Sequence, residues 1–194
     1  MKKFKLPVII IIMTLGFIKN SPAQTHLSGL YLTYNDFIHH KLSYSSDSDN
    51  QKNKIVLHEF FGGDKVTVTS NGKKQMLLKS QIFGYRDKHN HDYRFYGNKT
   101  YQIIDTAGFY LYSNEKLVQQ GKGPKPTRAF YFSADVNASV LPLTEDYLAT
   151  AFVKNNKFRY LVGAQFRSDD QLGAYDNLIH EFKIKELYME STKE

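Results

Sequence analysis

The residues of this 194-residue chain best suited to chemistry lie between Lys79 and Asp105, in KSQIFGYRDKHNHDYRFYGNKTYQIID. His89 and His91 stand two apart, and Asp92 follows. On a strand, residues i and i+2 point the same way, so two imidazoles and a carboxylate offer three ligands to zinc. Such a set would also serve a metal-dependent hydrolase. Against this, HNHD reads as a turn, and no HExxH pattern accompanies it. Polar turn residues facing water are the plainer reading. His39, His40, His58 and His180 are scattered, and none is singled out as a further ligand.

Aromatic residues are the second signal. The chain has 14 Tyr and 14 Phe but no Trp, and the tyrosines gather on segments with strand character. Alternation sends Tyr93 and Phe95 to one face and Arg94 and Tyr96 to the other. Phe109 and Leu111 likewise oppose Tyr110 and Tyr112. One set belongs in the core. The other forms either a second packed face or a binding platform. The platform would use Tyr96, Tyr110 and Tyr112 with Arg94 and Arg128, since tyrosine suits surfaces that are apolar in body and wet at the rim. It would take a glycan or an extended peptide; the lack of Trp weighs against the glycan.

Other chemistry is weaker. Gly121-Lys122-Gly123-Pro124-Lys125 lacks the length and the GK[ST] ending of a phosphate loop, and reads as an exposed linker. There is no GxSxG and no cysteine nucleophile. Glu59, Asp87, Asp92, Asp105 and Asp135 are available as acids, but nothing places two of them about 5 Å or about 7–9 Å apart, as glycoside hydrolysis requires. Asp47 and Asp49 match the first ligands of a calcium loop, without its glycine or closing glutamate. No cofactor is called for, and catalysis is not favoured.

The N-terminus, MKKFKLPVIIIIMTLGFIKNSPAQT, has a basic start, an apolar run from Val8 to Ile18 and small residues at Ser21-Pro22-Ala23. This is the pattern of a secretory signal peptide covering residues 1–23 and cut after Ala23. The run falls short of the ~20 residues a spanning helix needs. No second long apolar segment follows, so no transmembrane anchor is expected in the mature chain. No cysteine stands near the cut, which excludes a lipid anchor there. The formal charge is +7, from 26 Lys and Arg against 19 acids. Lys2, Lys3, Lys5 and Lys19 lie in the leader, which holds no acid, leaving 22 against 19, or +3. That balance, with no basic stripe, gives no case for nucleic acid. Without disulfides, the exported domain must be held by its core.

These side chains need elements to hold them. Leu30 and Leu32 alternate around Tyr31 as a strand, and Thr33 with Asp36 has capping-box spacing for a helical turn over 35–39. SSDSDNQKNK, 45–54, reads as a loop. KVTVTSNGKKQMLL is a hairpin. A three-residue turn over 71–73 would set Val68 opposite Met76 and Val66 opposite Leu78, aligning apolar residues better than a two-residue turn at Asn71-Gly72, which sets Val68 opposite Gln75. SQIFGYRD, HDYRFYG, KTYQIID, FYLYSN, EKLVQ and TRAFYFSA follow as short strands, with GKGPKP, 121–126, as a rigid break. After Pro142 the period changes. Thr144 caps a helix with Glu145 and Asp146 in its first turn and Leu143 and Leu148 as a staple. NKFRYLVGAQF is a second helix. Ser168 with Gln171 starts a third, whose stripe is Leu172, Tyr175, Ile179 and Phe182, with a break near Lys183.

GLYLTYNDF, SQIFGYRDKHNHDYRFYGNKTYQII, TRAFYFSADV and LPLT together resemble a group of uncharacterised exported proteins of Bacteroidetes-type bacteria. The resemblance covers most of residues 29–188. It implies an envelope or secreted setting and carries no activity or site residue.

The expectation is an α+β fold: an antiparallel β-rich barrel, roll or sandwich over 27–134, with a helical segment over 144–190 packed against it, in one domain, 24–194. The expected role is that of an exported periplasmic or secreted protein with a non-enzymatic structural or interaction function. The alternatives are a glycan- or peptide-binding module on the tyrosine-rich face, and a metal-dependent hydrolase around His89, His91 and Asp92. Partners of these readings are an envelope protein, a peptide or a glycan.

Overall fold

The computed structural model describes residues 27–46, 52–58, 63–121 and 123–193. The leader, Asp47, Asp49 and Glu59 lie outside them. Strand β1 (Ser28–Tyr31) leads into helix α1 (Tyr34–Ile38). Thr33 and Asp36 close the expected capping box: Thr33 Oγ1 accepts from the Asp36 amide at 3.1 Å, and Asp36 Oδ2 from the Thr33 amide at 3.0 Å. Next come β2 (Ser43–Ser46), β3 (Asn53–Val56), β4 (Lys65–Ser70) and β5 (Lys73–Leu78). After them run β6 (Gly84–Arg86), β7 (Asp92–Tyr96), β8 (Lys99–Asp105), β9 (Tyr110–Gln120), β10 (Gly123–Ser133) and β11 (Leu141–Pro142). Helices α2 (Glu145–Ala151), α3 (Asn156–Gln165) and α4 (Lys183–Ser191) close the chain, with a small hairpin, β12 (Tyr175–Asp176) and β13 (Glu181–Phe182), before α4.

The fold is α+β. Eight strands form an antiparallel sheet in the order β11-β10-β9-β8-β7-β6-β1-β2, and β3-β4-β5 form a second. Val66 and Val68 of the second sheet bury against Leu30 and Phe95 of the first and against Ile82, which precedes β6. Further along the large sheet, Phe109, Leu111 and Phe132 meet Leu143, Leu148, Phe152, Phe158, Val162 and Ile184 of the helical segment. Thr144 caps α2 as expected, and Leu143 and Leu148 are both buried. The rings of Phe109, Phe152, Phe158 and Tyr188 meet mostly edge to face at 5.1–6.2 Å, the geometry aromatic quadrupoles favour.

Four expectations are corrected. The β4–β5 hairpin turns on two residues, with Val68 opposite Gln75 and Val66 opposite Leu77. Asn71 and Gly72 both take positive φ, 49° and 76°, the pair of conformations that matches strand twist in a tight turn. Met76 is therefore 64% exposed, while the valines find their apolar partners on the other sheet. Second, residues 121–126 are not a break. The ladder runs on through Pro124 opposite Gln119 and Pro126 opposite Leu117, so 115–119 belong to one long strand, β9. Alternate prolines fit there because their nitrogens face the open side of β10, where no ladder bond is lost. Third, 45–54 is not all loop, since its ends pair as β2 and β3.

Fourth, no helix runs from Ser168. Residues 169–171 make one 3-10 turn without a side-chain cap, and Gln171 Oε1 instead accepts from the Arg167 amide at 3.0 Å. Gly173 then passes so close to the Phe130 ring that an added Cβ would sit 2.3 Å from it. Asp176 Oδ1 accepts the Leu178 amide at 2.8 Å and sets a turn. Tyr175 and Ile179 are exposed, and the helix starts at Lys183, where it was expected to break. Its Lys185 is fully buried. The ammonium donates to the Phe109 carbonyl and pairs with Asp105 at 3.2 Å, and burial lowers its pKa despite that carboxylate.

Candidate functional site

Register decides which side chains share a face. Arg86 pairs with Asp92, Gly84 with Arg94, Arg94 with Tyr101 and Ile103 with Tyr112. Tyr31, Arg86, Asp92, Arg94, Tyr101, Tyr112 and Tyr131 thus lie on one face. Tyr85, Tyr93, Phe95, Thr100, Gln102, Ser113 and Arg128 lie on the other.

The first face is mostly covered. Phe37 of α1 packs edge-on against Tyr31 at 5.5 Å, and Val140 packs among Tyr101, Tyr112 and Tyr131. Tyr112 is fully buried, and its hydroxyl meets Arg94 Nη1 at 2.7 Å and Ser133 Oγ at 3.0 Å. Burial raises the Tyr112 pKa, with Arg94 and Ser133 pulling the other way. The Tyr110 hydroxyl meets that of Tyr34 at 2.8 Å; its pKa is raised by burial first and by Tyr34 next. Tyr96 is 36% exposed. Arg128, also exposed, lies on the opposite face. The five residues expected as a platform do not form one surface: Arg94 and Tyr112 are core, Tyr110 is half-buried, and Tyr96 and Arg128 look opposite ways.

His89, His91 and Asp92 are likewise not brought together as ligands. Asp92 is gripped by Arg86, Nε to Oδ1 at 2.7 Å and Nη2 to Oδ2 at 2.6 Å, and Tyr31 donates its hydroxyl to Oδ1 at 2.8 Å. Burial first, and Asp92 next, raise the Tyr31 pKa. The histidines turn instead to Asp87, whose carboxylate accepts the amides of His89 and His91 at 2.8 and 2.9 Å and faces His91 Nδ1 at 3.2 Å. Burial pushes the Asp87 pKa up, but those donors outweigh it and the net shift is downward. Asp87 organises this turn, a role legible in principle from an Asp at the start of a polar turn. Among the described residues, no three His, Asp or Glu side chains converge in a metal-holding group, and no helix is long and apolar enough to cross a membrane.

The second face carries a site that sequence reasoning missed. Between the strands covered by the small sheet and those covered by the helices lies a polar cleft of about 750 Å³. Tyr85 and Tyr93 line one side, their rings stacked at 4.6 Å and 5°. Gln102, Ser113, Asn114, Glu115 and Arg128 bring polar ends to it, with His91 and Thr100. Arg128 Nη2 donates to Ser113 Oγ at 3.1 Å, and Ser113 Oγ to Gln102 Oε1 at 3.3 Å. Glu115 and Arg128 are cross-strand partners, yet no ion pair joins them among the described residues. Thr100 Oγ1 is buried with no hydrogen-bond partner among the described residues, unlike most buried hydroxyls. The signal in the sequence was the run of polar residues, Gln102, Ser113 and Arg128, at same-face positions of adjacent strands.

Comparison with known protein families, curated proteins and solved structures finds no match for this chain.

Proposed function

We propose that the chain is an exported binding module that takes a saccharide in the polar cleft on the second face of the large sheet. The observation that supports this reading is the lining of that cleft. Sugars present hydroxyls that need donors and acceptors in pairs, and C–H faces that settle on aromatic rings. Gln102, Asn114, Glu115 and Arg128 supply the first, and the stacked Tyr85–Tyr93 pair the second. The sugar reading is preferred to an extended peptide because the cleft gathers polar side chains from several strands beside a stacked aromatic pair. Export rests on the leader pattern.

Calorimetric titration of neutral oligosaccharides tests the reading. A binder should lose about tenfold in affinity on Arg128→Ala or Gln102→Ala, each removing one or two hydrogen bonds to a desolvated hydroxyl. If no neutral sugar binds, or if both variants bind like the parent, the saccharide reading is wrong.

A further inference from the structure

A charge taken out of water calls for an opposite charge. Arg94 is 6% exposed. Its acceptors are all neutral: Tyr112 Oη at 2.7 Å, Ser133 Oγ at 3.2 Å and the Ala138 carbonyl at 3.3 Å. The ion pairs among the described residues join Arg86 to Asp92, His91 to Asp87 and Lys185 to Asp105. Arg94 is in none of them. Asp135 sits on the turn that carries Ala138, but its Oδ1 accepts the amides of Asn137 and Ala138 at 2.7 and 2.9 Å and so shapes the turn instead.

A guanidinium carries five N–H donors. In Arg94, Nη1 makes two of these bonds and Nη2 one. The Nε–H and a second Nη2–H have no acceptor among the described residues. Nε and Nη2 share the edge of the group that suits the two oxygens of one carboxylate, and Arg86 uses that same edge on Asp92. Arg94 lines a pocket of about 480 Å³. The rings of Phe83 and Tyr96, also in its lining, stand 6.0 and 5.5 Å from the guanidinium carbon. No lining residue is an acid.

We propose that this pocket binds a small organic carboxylate, its acid group on the Nε–Nη2 edge of Arg94 and its body against Tyr96 and Phe83. The site is on the opposite face from the saccharide cleft and does not depend on it. A uronic acid and the carboxyl end of a peptide present the same two oxygens.

The test is an NMR titration of the exported chain, following backbone amides and arginine Nε–H signals. The probes are glucuronate, glucose, acetyl-alanine and acetyl-alanine amide. Saturable shifts are expected with one or both acids, including the Arg94 Nε–H signal, and none in this pocket with glucose or the amide. A response to glucuronate alone assigns an acidic sugar, one to acetyl-alanine alone a peptide end, and one to both assigns the carboxylate itself as the determinant. Arg94→Lys keeps the charge but loses the paired donors, and should weaken binding about tenfold. That variant disturbs the core, so Gln81→Glu is the second. Gln81 is exposed and lines the pocket, and a new negative charge there should weaken binding about fivefold with melting unchanged. No saturable response to either acid at about 20 mM, where a millimolar binder is nearly saturated, overturns the proposal. So does equal affinity in Gln81→Glu, or binding that leaves the Arg94 Nε–H signal in place.

Discussion

Arg86 and Arg94 lie on the same face of the same sheet, on neighbouring strands, and are treated oppositely. Arg86 faces Asp92 across the β6–β7 ladder and is locked to it by two charge-assisted bonds. Arg94 faces Gly84 on one side and Tyr101 on the other, and neither offers an acid. The first arginine is closed, with Tyr31 completing the coordination of its carboxylate. The second is held by a tyrosine, a serine, a carbonyl and nearby rings, which steady a guanidinium without neutralising it. Burial alone does not make an arginine structural; what counts is whether the fold also delivers its anion.

Four experiments test that contrast. Gly84→Ala should have the largest effect. A Cβ there would fall 1.8 Å from the Tyr93 carbonyl oxygen, so β6 and β7 must part, costing about 3 kcal/mol or more in urea unfolding. A loss under about 1 kcal/mol would mean that the ladder carrying both arginines yields easily. Asp92→Asn comes next, at about 2–3 kcal/mol, because it leaves the Arg86 guanidinium largely buried without its counter-ion. Arg94→Leu should change stability by no more than about 1 kcal/mol, since a charge with no ionic partner is removed and Tyr112 and Ser133 keep their mutual bond at 3.0 Å. A loss equal to that of Asp92→Asn would erase the distinction between the two sites.

The smallest effect is on acid stability. The Asp87 carboxyl is held below its ordinary value by the amides of His91 and His89, which outweigh its burial. An acid with a depressed folded pKa stabilises above its unfolded value and loses that stabilisation as pH falls through the folded one. Unfolding free energy should therefore drop as pH falls below about 4, and Asp87→Asn should flatten that limb by a small amount. Equal acid limbs in parent and variant would place the acid sensitivity elsewhere.

What could be read in the sequence was local. Thr33 with Asp36, and Thr144 with Leu143 and Leu148, are determined within one or two helical turns, and the structure keeps them. What misled was set by distant packing. The β4–β5 register follows its turn, because Val66 and Val68 take their neighbours from another sheet. Pro126 reads as a breaker only when the open edge beyond it is unknown. Tyr175 and Ile179 match a helical stripe by spacing, while the close passage of Gly173 over Phe130 requires another path. Lys185 gave no warning of its burial, since a lysine beside Ile184 reads as the wet side of a helix. For the site, alternation separated Arg94 and Tyr96 from Tyr93 and Phe95 correctly. It carried no information on what would cover each face, so of the tyrosines chosen for contact with a ligand Tyr112 is core and Tyr110 half-buried.

The β9–β10 ribbon runs beyond its neighbours: β8 pairs with β9 only as far as Ser113, and β11 with β10 only at Tyr131 and Phe132. Beyond them neither border pairs with another strand among the described residues, and the ribbon carries Leu117 at 74% exposure. Pro124 and Pro126 cap one border only. Stacking chains edge to edge into a fibre needs a donor side and an acceptor side on every unit. With the β10 side silenced, a strand added along β9 finds no successor, so growth at this ribbon ends after one step.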